Sequence, residues 1–413
     1  MNIAIANFRN KIDDINSYLL ITFAFFLPLS RAGISILSVL MILMWLFQGD
    51  FKKKYENLKD NVVIIALVLF VGFEFISLVW TTSENIGHGL DQAFKTTRLV
   101  LLPILVIATT LKKEYIPKVI TAFLIGMLIS EILSYGIFFE LWTLRHGSPS
   151  DPTPFMHHLD YSTFLTFTSL LLLNRYFDTN NLKLKAFYFI YFLFVTSNLF
   201  LNGGRTGHLA FAISIFAVGF VNIKNKFIAF FSMLILVIAI FYAAYNISPV
   251  FKQRFDAGAN EISKLESNSN SKYKGSFGQR LGAWIVAIDM VKDNHLLGTG
   301  GGSEMVEFKK YAQNSSSDLQ VVQNITHFHN EYVHTIVEYG IVGLILYLII
   351  WYSLFKMPME NTNFSNLRVI FITVFCTAST VEVLFHNQFP MSLFALFVGI
   401  FISLSKSQVK RKI

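Results

Sequence analysis

Charge and cysteine are what this chain has least of. Only 15% of its 413 residues are charged, where a soluble domain averages nearer a quarter. Its single cysteine, Cys376, lies in an apolar run, so no intrachain disulfide can brace the fold. Other absences exclude whole classes. Alternating strands of about ten residues, the mark of an outer-membrane barrel, do not occur. Neither an internal repeat nor an inverted pair of broken helices, the pointer to many secondary transporters, is evident. The glycine run Gly298-Thr299-Gly300-Gly301-Gly302-Ser303 lacks the Gly-Lys-Ser/Thr ending and a preceding strand, so it reads as a plain turn rather than a nucleotide site.

What remains is oil. The chain is 54% hydrophobic, with a mean hydropathy of +0.52. Apolar runs recur from end to end, which predicts an all-α polytopic membrane protein. About twelve transmembrane helices are expected, near 15–30, 33–49, 62–80, 97–111, 118–139, 160–177, 184–202, 206–222, 227–246, 330–353, 367–385 and 389–405. Each can cross roughly 30 Å of hydrocarbon with modest tilt. The first run follows Arg9 and Lys11 and ends in Leu-Pro-Leu-Ser-Arg without a small-x-small cleavage site, so it reads as a retained anchor.

Lys and Arg set the expected orientation. With both termini inside, the cytoplasmic segments and their flanks hold twenty basic residues, among them Lys52, Lys53, Lys54, Lys112, Lys113 and Lys410. The short outer segments hold five: Arg31, Lys95, Arg98, Arg145 and Arg205. That asymmetry predicts a multi-pass membrane protein with both termini inside and its long polar stretch outside. The net charge of +8 is mostly this bias, scattered over short loops, so nucleic acid is not an expected partner. The organisation follows: transmembrane helices 1–9 over 1–246, a large periplasmic loop over 247–329, and helices 10–12 with a cytoplasmic tail over 330–413. Within the loop, 261–276 is polar and expected to be mobile. After it, a short amphipathic helix is expected from Gln279 to Lys292, with Leu281, Trp284, Ile285, Ile288 and Val291 as its apolar stripe.

Three residues on the outer face could do chemistry. His329, in His327-Phe328-His329-Asn330-Glu331-Tyr332, stands at the mouth of a helix opened by Asn330, where an imidazole can take or orient a hydroxyl proton. Val333, Ile336, Gly340 and Gly343 follow it down one side, and the glycines would let a neighbouring helix come close. Arg205, in Asn202-Gly203-Gly204-Arg205-Thr206-Gly207, has bare backbone around it that suits a bulky anion. Arg280 opens the loop helix, where a cation opposes the helix dipole. Guanidinium forks match phosphate oxygens, so the trio points to a lipid-linked phosphate substrate.

Asn330, Lys95, Arg98 and Glu338 are secondary candidates. Lys95 and Arg98 could extend a cationic rim, although lipid anchoring explains them too. Buried carboxylates in a span are functional by default, so Glu338, Glu74, Glu131 and Glu382 each raise a question that the sequence does not answer by pairing them. His157, His158 and Asp160 have poor spacing for zinc and no evident fourth ligand, so no metal is expected.

His329-Asn330, nine residues, then Gly340-x-x-Gly343 resembles the histidine motif of the O-antigen ligases, though Leu344-Ile345 stand where that motif often has two threonines. Gly204-Arg205-Thr206-Gly207 and Gly278-Gln279-Arg280-Leu281 with Trp284 are similar to the family's two arginine motifs. The resemblance implies a metal- and cofactor-independent, inverting glycosyl transfer at the periplasmic face. The donor would be undecaprenyl-pyrophosphate glycan and the acceptor a hydroxyl of lipid A-core; the resemblance leaves open whether the enzyme is monomeric. Arg205 and Arg280 would hold the pyrophosphate, and His329 would activate or position the acceptor. An O-antigen polymerase using the same donor is the nearest rival. A polysaccharide flippase or transporter, with the buried glutamates as an ion pathway, is the rival from another class.

Overall fold

The computed structural model describes residues 2–82, 84–144, 147–266 and 273–405, and among them it is helical, without a strand. Helices α1 (Asn2–Phe26) and α2 (Arg31–Gln48) form a hairpin. Next, α3 (Phe51–Leu58) meets α4 (Val62–Ser77) at a bend of 105°. A π turn, Thr97–Leu101, joins α5 (Ile86–Thr96) to α6 (Leu102–Thr110). Five long helices follow: α7 (Ile116–Phe138), α8 (His158–Asp178), α9 (Leu182–Leu201), α10 (Arg205–Asn222) and α11 (Lys226–Ile247). The polar stretch holds α12 (Pro249–Glu266), α13 (Ser276–Asp293) and α14 (Glu304–Asn314). The chain closes with α15 (Glu331–Lys356), α16 (Thr362–Ala378) and α17 (Gln388–Ser403).

Asparagine starts these helices again and again. The side chains of Asn61, Asn181, Asn225, Asn330 and Asn361 each accept from two backbone amides of the first turn. The first-turn amides of a helix have no intrahelical partner, and a side-chain oxygen at the N-cap satisfies them.

The core is built on α8 and α17. Every residue of α17 from Phe389 to Ile402 is buried. Phe167 of α8 meets Phe397 of α17 edge-on at 4.6 Å and Phe371 of α16 at 5.2 Å, the offset geometry that ring quadrupoles favour. At the other extreme, α11 buries only Ala229, Met233 and Ala244, so an apolar helix faces outward on most sides.

A helix lies over each of the twelve expected spans. Yet six helical stretches among the described residues are long and apolar enough to cross a membrane: 31–48, 86–110, 113–138, 182–201, 226–247 and 331–356. The bent pair α3–α4 makes a seventh if it counts as one span. The others fall short for identifiable reasons. In α8 the polar groups turn inward and bond neighbours, as in Ser169 to Thr196 at 2.7 Å and Thr166 to the Gly207 carbonyl at 2.9 Å. The eleventh expected span, 367–385, ends earlier as α16, at Ala378, which leaves Glu382 in the turn before α17.

The loop over 247–329 is more ordered than its sequence suggests. Its described residues carry three α-helices and a short 3-10 turn (Gln320–Val322) instead of one helix, and residues 261–266, expected to be mobile, are the end of α12. The Ser267-Asn268-Ser269-Asn270-Ser271 stretch lies outside the described residues, as do Arg145 and Lys410. The loop has its own small core, in which Ala283, Val286, Ala287 and Met290 of α13 pack with Phe308, Ala312, Val322 and Phe328. The expected stripe of α13 is therefore not its inward face: Ile288 is exposed, while alanines and Met290 point in. Small residues bring the helix close to its neighbours, and a hydrophobicity pattern undervalues them.

Candidate active site

Helix α15 is broken where a continuous span was expected. Gly340 has φ +66° and ψ −169°, a region open essentially to glycine alone. A Cβ there would stand 2.3 Å from the Leu296 carbonyl oxygen. The break frees backbone groups that the glycine-rich segment satisfies. Thr299 and Gly300 donate to the carbonyls of Val337 and Glu338, both at 2.9 Å, and Ile341 donates to the His295 carbonyl at 2.9 Å. Gly298, Gly300 and Gly302 all have positive φ. The run is thus no plain turn but a strap laid into a split helix, held also by Thr81 donating to the Gly301 carbonyl at 2.6 Å. Gly340 serves this backbone insertion and not the helix–helix seam read from the sequence.

Above the break, the chain enters α15 through His327-Phe328-His329. Phe328 is fully buried, edge-on to Phe308 at 5.2 Å, and its carbonyl accepts from the Trp284 indole at 2.8 Å. With the middle residue anchored in the loop core, both flanking imidazoles reach one carboxylate. His327 Nε2 lies 2.9 Å from Glu382 Oε1, and His329 Nδ1 lies 3.2 Å from Glu382 Oε2. The two rings are 4.0 Å apart. His329 has φ +49°, a left-handed conformation that costs a non-glycine residue about 1–2 kcal/mol. Asn330 caps α15, its side chain accepting from Tyr332 and Val333 amides at 2.9 and 3.1 Å, as expected for the residue that opens the helix.

Glu382 is 2% exposed and His329 28%. Burial alone would raise the carboxyl, but the bonds from His327 and His329 overturn this and hold it well below the usual carboxylate range. Burial pushes His329 down, against the pull of Glu382, with the charges of His327 and Arg280 adding to the descent. A neutral His329 that donates from Nδ1 to Glu382 keeps a lone pair on Nε2.

The arginines gather nearby. The charge of Arg280 is felt at His329, and Arg280 in turn feels both Glu382 and Arg205. Arg280 does not open α13: the helix starts at Ser276, so the guanidinium sits in its second turn, where the dipole opposes it less. Its Nε is buried without a hydrogen-bond partner among the described residues. Arg205 starts α10 and donates to the Arg254 carbonyl at 3.1 Å. The glycines around it do different work from that expected. Gly204 and Gly207 let α10 press onto Ser162 of α8, and Gly203 faces the Arg254 guanidinium. That third arginine was missed; its one sequence signal is a cationic pair, Lys252 and Arg254, at the start of the polar stretch.

Among the secondary candidates, Lys95 donates to the His386 carbonyl at 2.5 Å. It lines a pocket of about 470 Å³ together with His327, Glu382, Glu304, His334 and His386. Arg98 is exposed on the π turn and Glu338 is buried beside His334 at 3.2 Å. His158 pairs with Asp151 at 3.0 Å and Asp160 accepts from Asn387 at 3.2 Å, so the cluster noted in the sequence is drawn to separate partners. On the flank of α15, Val333 and Ile336 join Trp284, Ile288 and Val291 around an apolar groove of about 640 Å³.

Residues 190–348 match the family model described as O-antigen ligase, which supports membership of the O-antigen ligase/polymerase superfamily. The matched stretch includes Arg205, Arg254, Arg280 and His329, while Glu382 lies beyond it. An "uncharacterized protein" of Haemophilus influenzae is 24% identical over 344 residues, covering 81% of this chain and 81% of its own.

Proposed function

We propose, from that superfamily membership, that the protein is a membrane glycosyltransferase of the ligase type. It would move a glycan from undecaprenyl pyrophosphate to a sugar hydroxyl of lipid A-core at the periplasmic face of the inner membrane. Twelve spans with both termini inside belong to this reading. The observation that carries it is the His329–Glu382 pair, with Nδ1 bonded and Nε2 making no hydrogen bond among the described residues, inside the field of Arg280.

The chemistry balances without a metal or cofactor. His329 Nε2 takes the proton of the acceptor hydroxyl as its oxygen bonds to the anomeric carbon. The bond from that carbon to the pyrophosphate oxygen breaks with inversion, and the electron pair leaves with the lipid pyrophosphate. Arg280 and Arg205 neutralise the charge that grows there. The apolar groove flanking α15 has room and lining for part of a polyprenyl chain.

The test is an assay of detergent-purified protein with lipid-linked glycan, with and without lipid A-core. Attachment to the core that is lost in His329→Ala, Arg205→Ala and Arg280→Ala, while each variant remains inserted, upholds the reading. Chain extension from donor alone would instead make it a polymerase. Substrate moved with no covalent change would make it a transporter.

A further inference from the structure

A second cluster of histidine and carboxylate lies one helical turn deeper than the first, and the transfer reaction above makes no use of it. His334 and Glu338 stand at i and i+4 on the first half of α15. Glu304 reaches them from the start of α14, just after the glycine strap, and His386 from the turn before α17. All but His386 are nearly sealed, with side chains of His334, Glu304 and Glu338 exposed by 3%, 4% and 1%.

The protein leaves these groups unsatisfied. His334 Nε2 is 3.2 Å from Glu338 Oε2 and 4.0 Å from Glu304 Oε1. Yet neither imidazole nitrogen makes a hydrogen bond, and Glu338 Oε2 and Glu304 Oε2 make none either. The Glu338 carboxylate accepts from the Gly302 amide on Oε1, at 2.9 Å, and its Oε2 is held only by the ion pair with His334 among the described residues. Three buried carboxylates, Glu304, Glu331 and Glu338, bear on this one imidazole. Glu331 accepts from the Phe385 amide at 3.0 Å, but Glu304 Oε2, Glu338 Oε2 and both His334 nitrogens lack an aligned hydrogen bond, and orphaned buried polar atoms call for an explanation. Donor atoms that crowd together without aligning for hydrogen bonds have the disposition of ligands around a common ion.

We infer that His334, Glu338, His386 and Glu304 bind a first-row divalent cation of the zinc type. One ligand atom each from His334, Glu338 and His386 already lies within 4.8 Å of the others. Zinc bonds of roughly 2.0–2.2 Å place tetrahedral ligands about 3.3–3.6 Å apart, so binding would draw these atoms, and Glu304 Oε1 at 4.0 Å from His334 Nε2, inward by up to about an ångström. Two imidazoles with two carboxylates suit zinc or cobalt, whereas magnesium and calcium favour all-oxygen sites. The 470 Å³ pocket lined by Glu304, His334 and His386 provides the entry. The ion would staple three pieces, the strap end, the split helix and the turn that carries Glu382, and so hold the His329–Glu382 pair from beneath without touching substrate.

His327, His329 and Glu382 also lie close enough to share an ion, but there the carboxylate oxygens are already bonded to the imidazoles. The experiment uses the full chain, tag-free in detergent, stripped with a chelator and titrated with Co²⁺ and then Zn²⁺. One equivalent of cobalt should bind with the visible spectrum of nitrogen–oxygen coordination, zinc should displace it, and the melting temperature should rise by several degrees. His334→Ala and Glu304→Gln should each weaken binding at least about tenfold. Glu304→Gln keeps the shape of the loop end and guards against a folding failure in the helix variant. No saturable ion, or unchanged affinity in Glu304→Gln, would overturn the proposal. So would binding abolished by His327→Ala but kept in His334→Ala, which moves the ion to the other cluster.

Discussion

Two histidine–carboxylate clusters share one pocket, and they differ in how completely the protein satisfies them. Around Glu382, both carboxylate oxygens accept from imidazoles, and His329 remains more than a quarter exposed. Around His334, the groups are sealed in: Nε2 pairs with Glu338 at 3.2 Å, but neither imidazole nitrogen has an aligned hydrogen-bond partner among the described residues. An oriented imidazole with a solvent-reachable nitrogen is equipped to move a proton. A buried one with neither nitrogen bonded is short of a partner. The same residue types, a few residues apart on one chain, are thereby suited to different tasks.

The largest expected effect comes from breaking the first cluster at its reactive end. His329→Ala should lower transfer about 10²–10⁴-fold, the usual worth of a general base. A loss under tenfold, measured as kcat/KM, would reduce His329 to a positioning group. Glu382→Gln sharpens the comparison, because it keeps the shape and removes the charge. We expect a loss of roughly 10–100-fold and a moved pH profile. Protonation of His329 on acidification removes the base, so activity falls through its depressed pKa. The Glu382 carboxylate raises that pKa, so its loss should shift the acidic limb to lower pH. A limb left in place would disconnect the two residues.

Gly340→Ala probes the break in α15 that lies beyond both clusters. Its backbone conformation and the Leu296 carbonyl together predict a loss of about 1–3 kcal/mol or more, read as a lower melting temperature. An unchanged melting temperature would mean that α15 can close into a continuous helix. The smallest effect belongs to Asn330→Ala, where loss of a cap should cost about 1 kcal/mol of stability. A much larger loss would give Asn330 a role beyond the two amides it accepts from.

Much of this was legible early. The asparagine cap, His329 at the mouth of its helix and the helices beneath the apolar runs are local matters, written in residue types and spacing. Other parts were not. Glu382 looked like an intramembrane acid because α16 was drawn seven residues too long, with Ser379 to Phe385 read as helix. His327 passed unremarked because its role depends on Phe328 being fixed by Phe308 and Trp284. The glycine run passed for a turn because nothing in it names the broken helix it fills.

Hydrophobic runs, caps and basic flanks act within a turn or two of themselves, and so the chain alone determined a helical membrane protein with a histidine at the head of a span. Which groups share a proton, a charge or an ion depends on contacts between segments far apart in sequence. His329 and Glu382 are separated by 53 residues, and Gly302 and Glu338 by 36. Only packing in three dimensions brings such pairs to hydrogen-bond distance, and only there does a buried polar atom either find its partner or go without one.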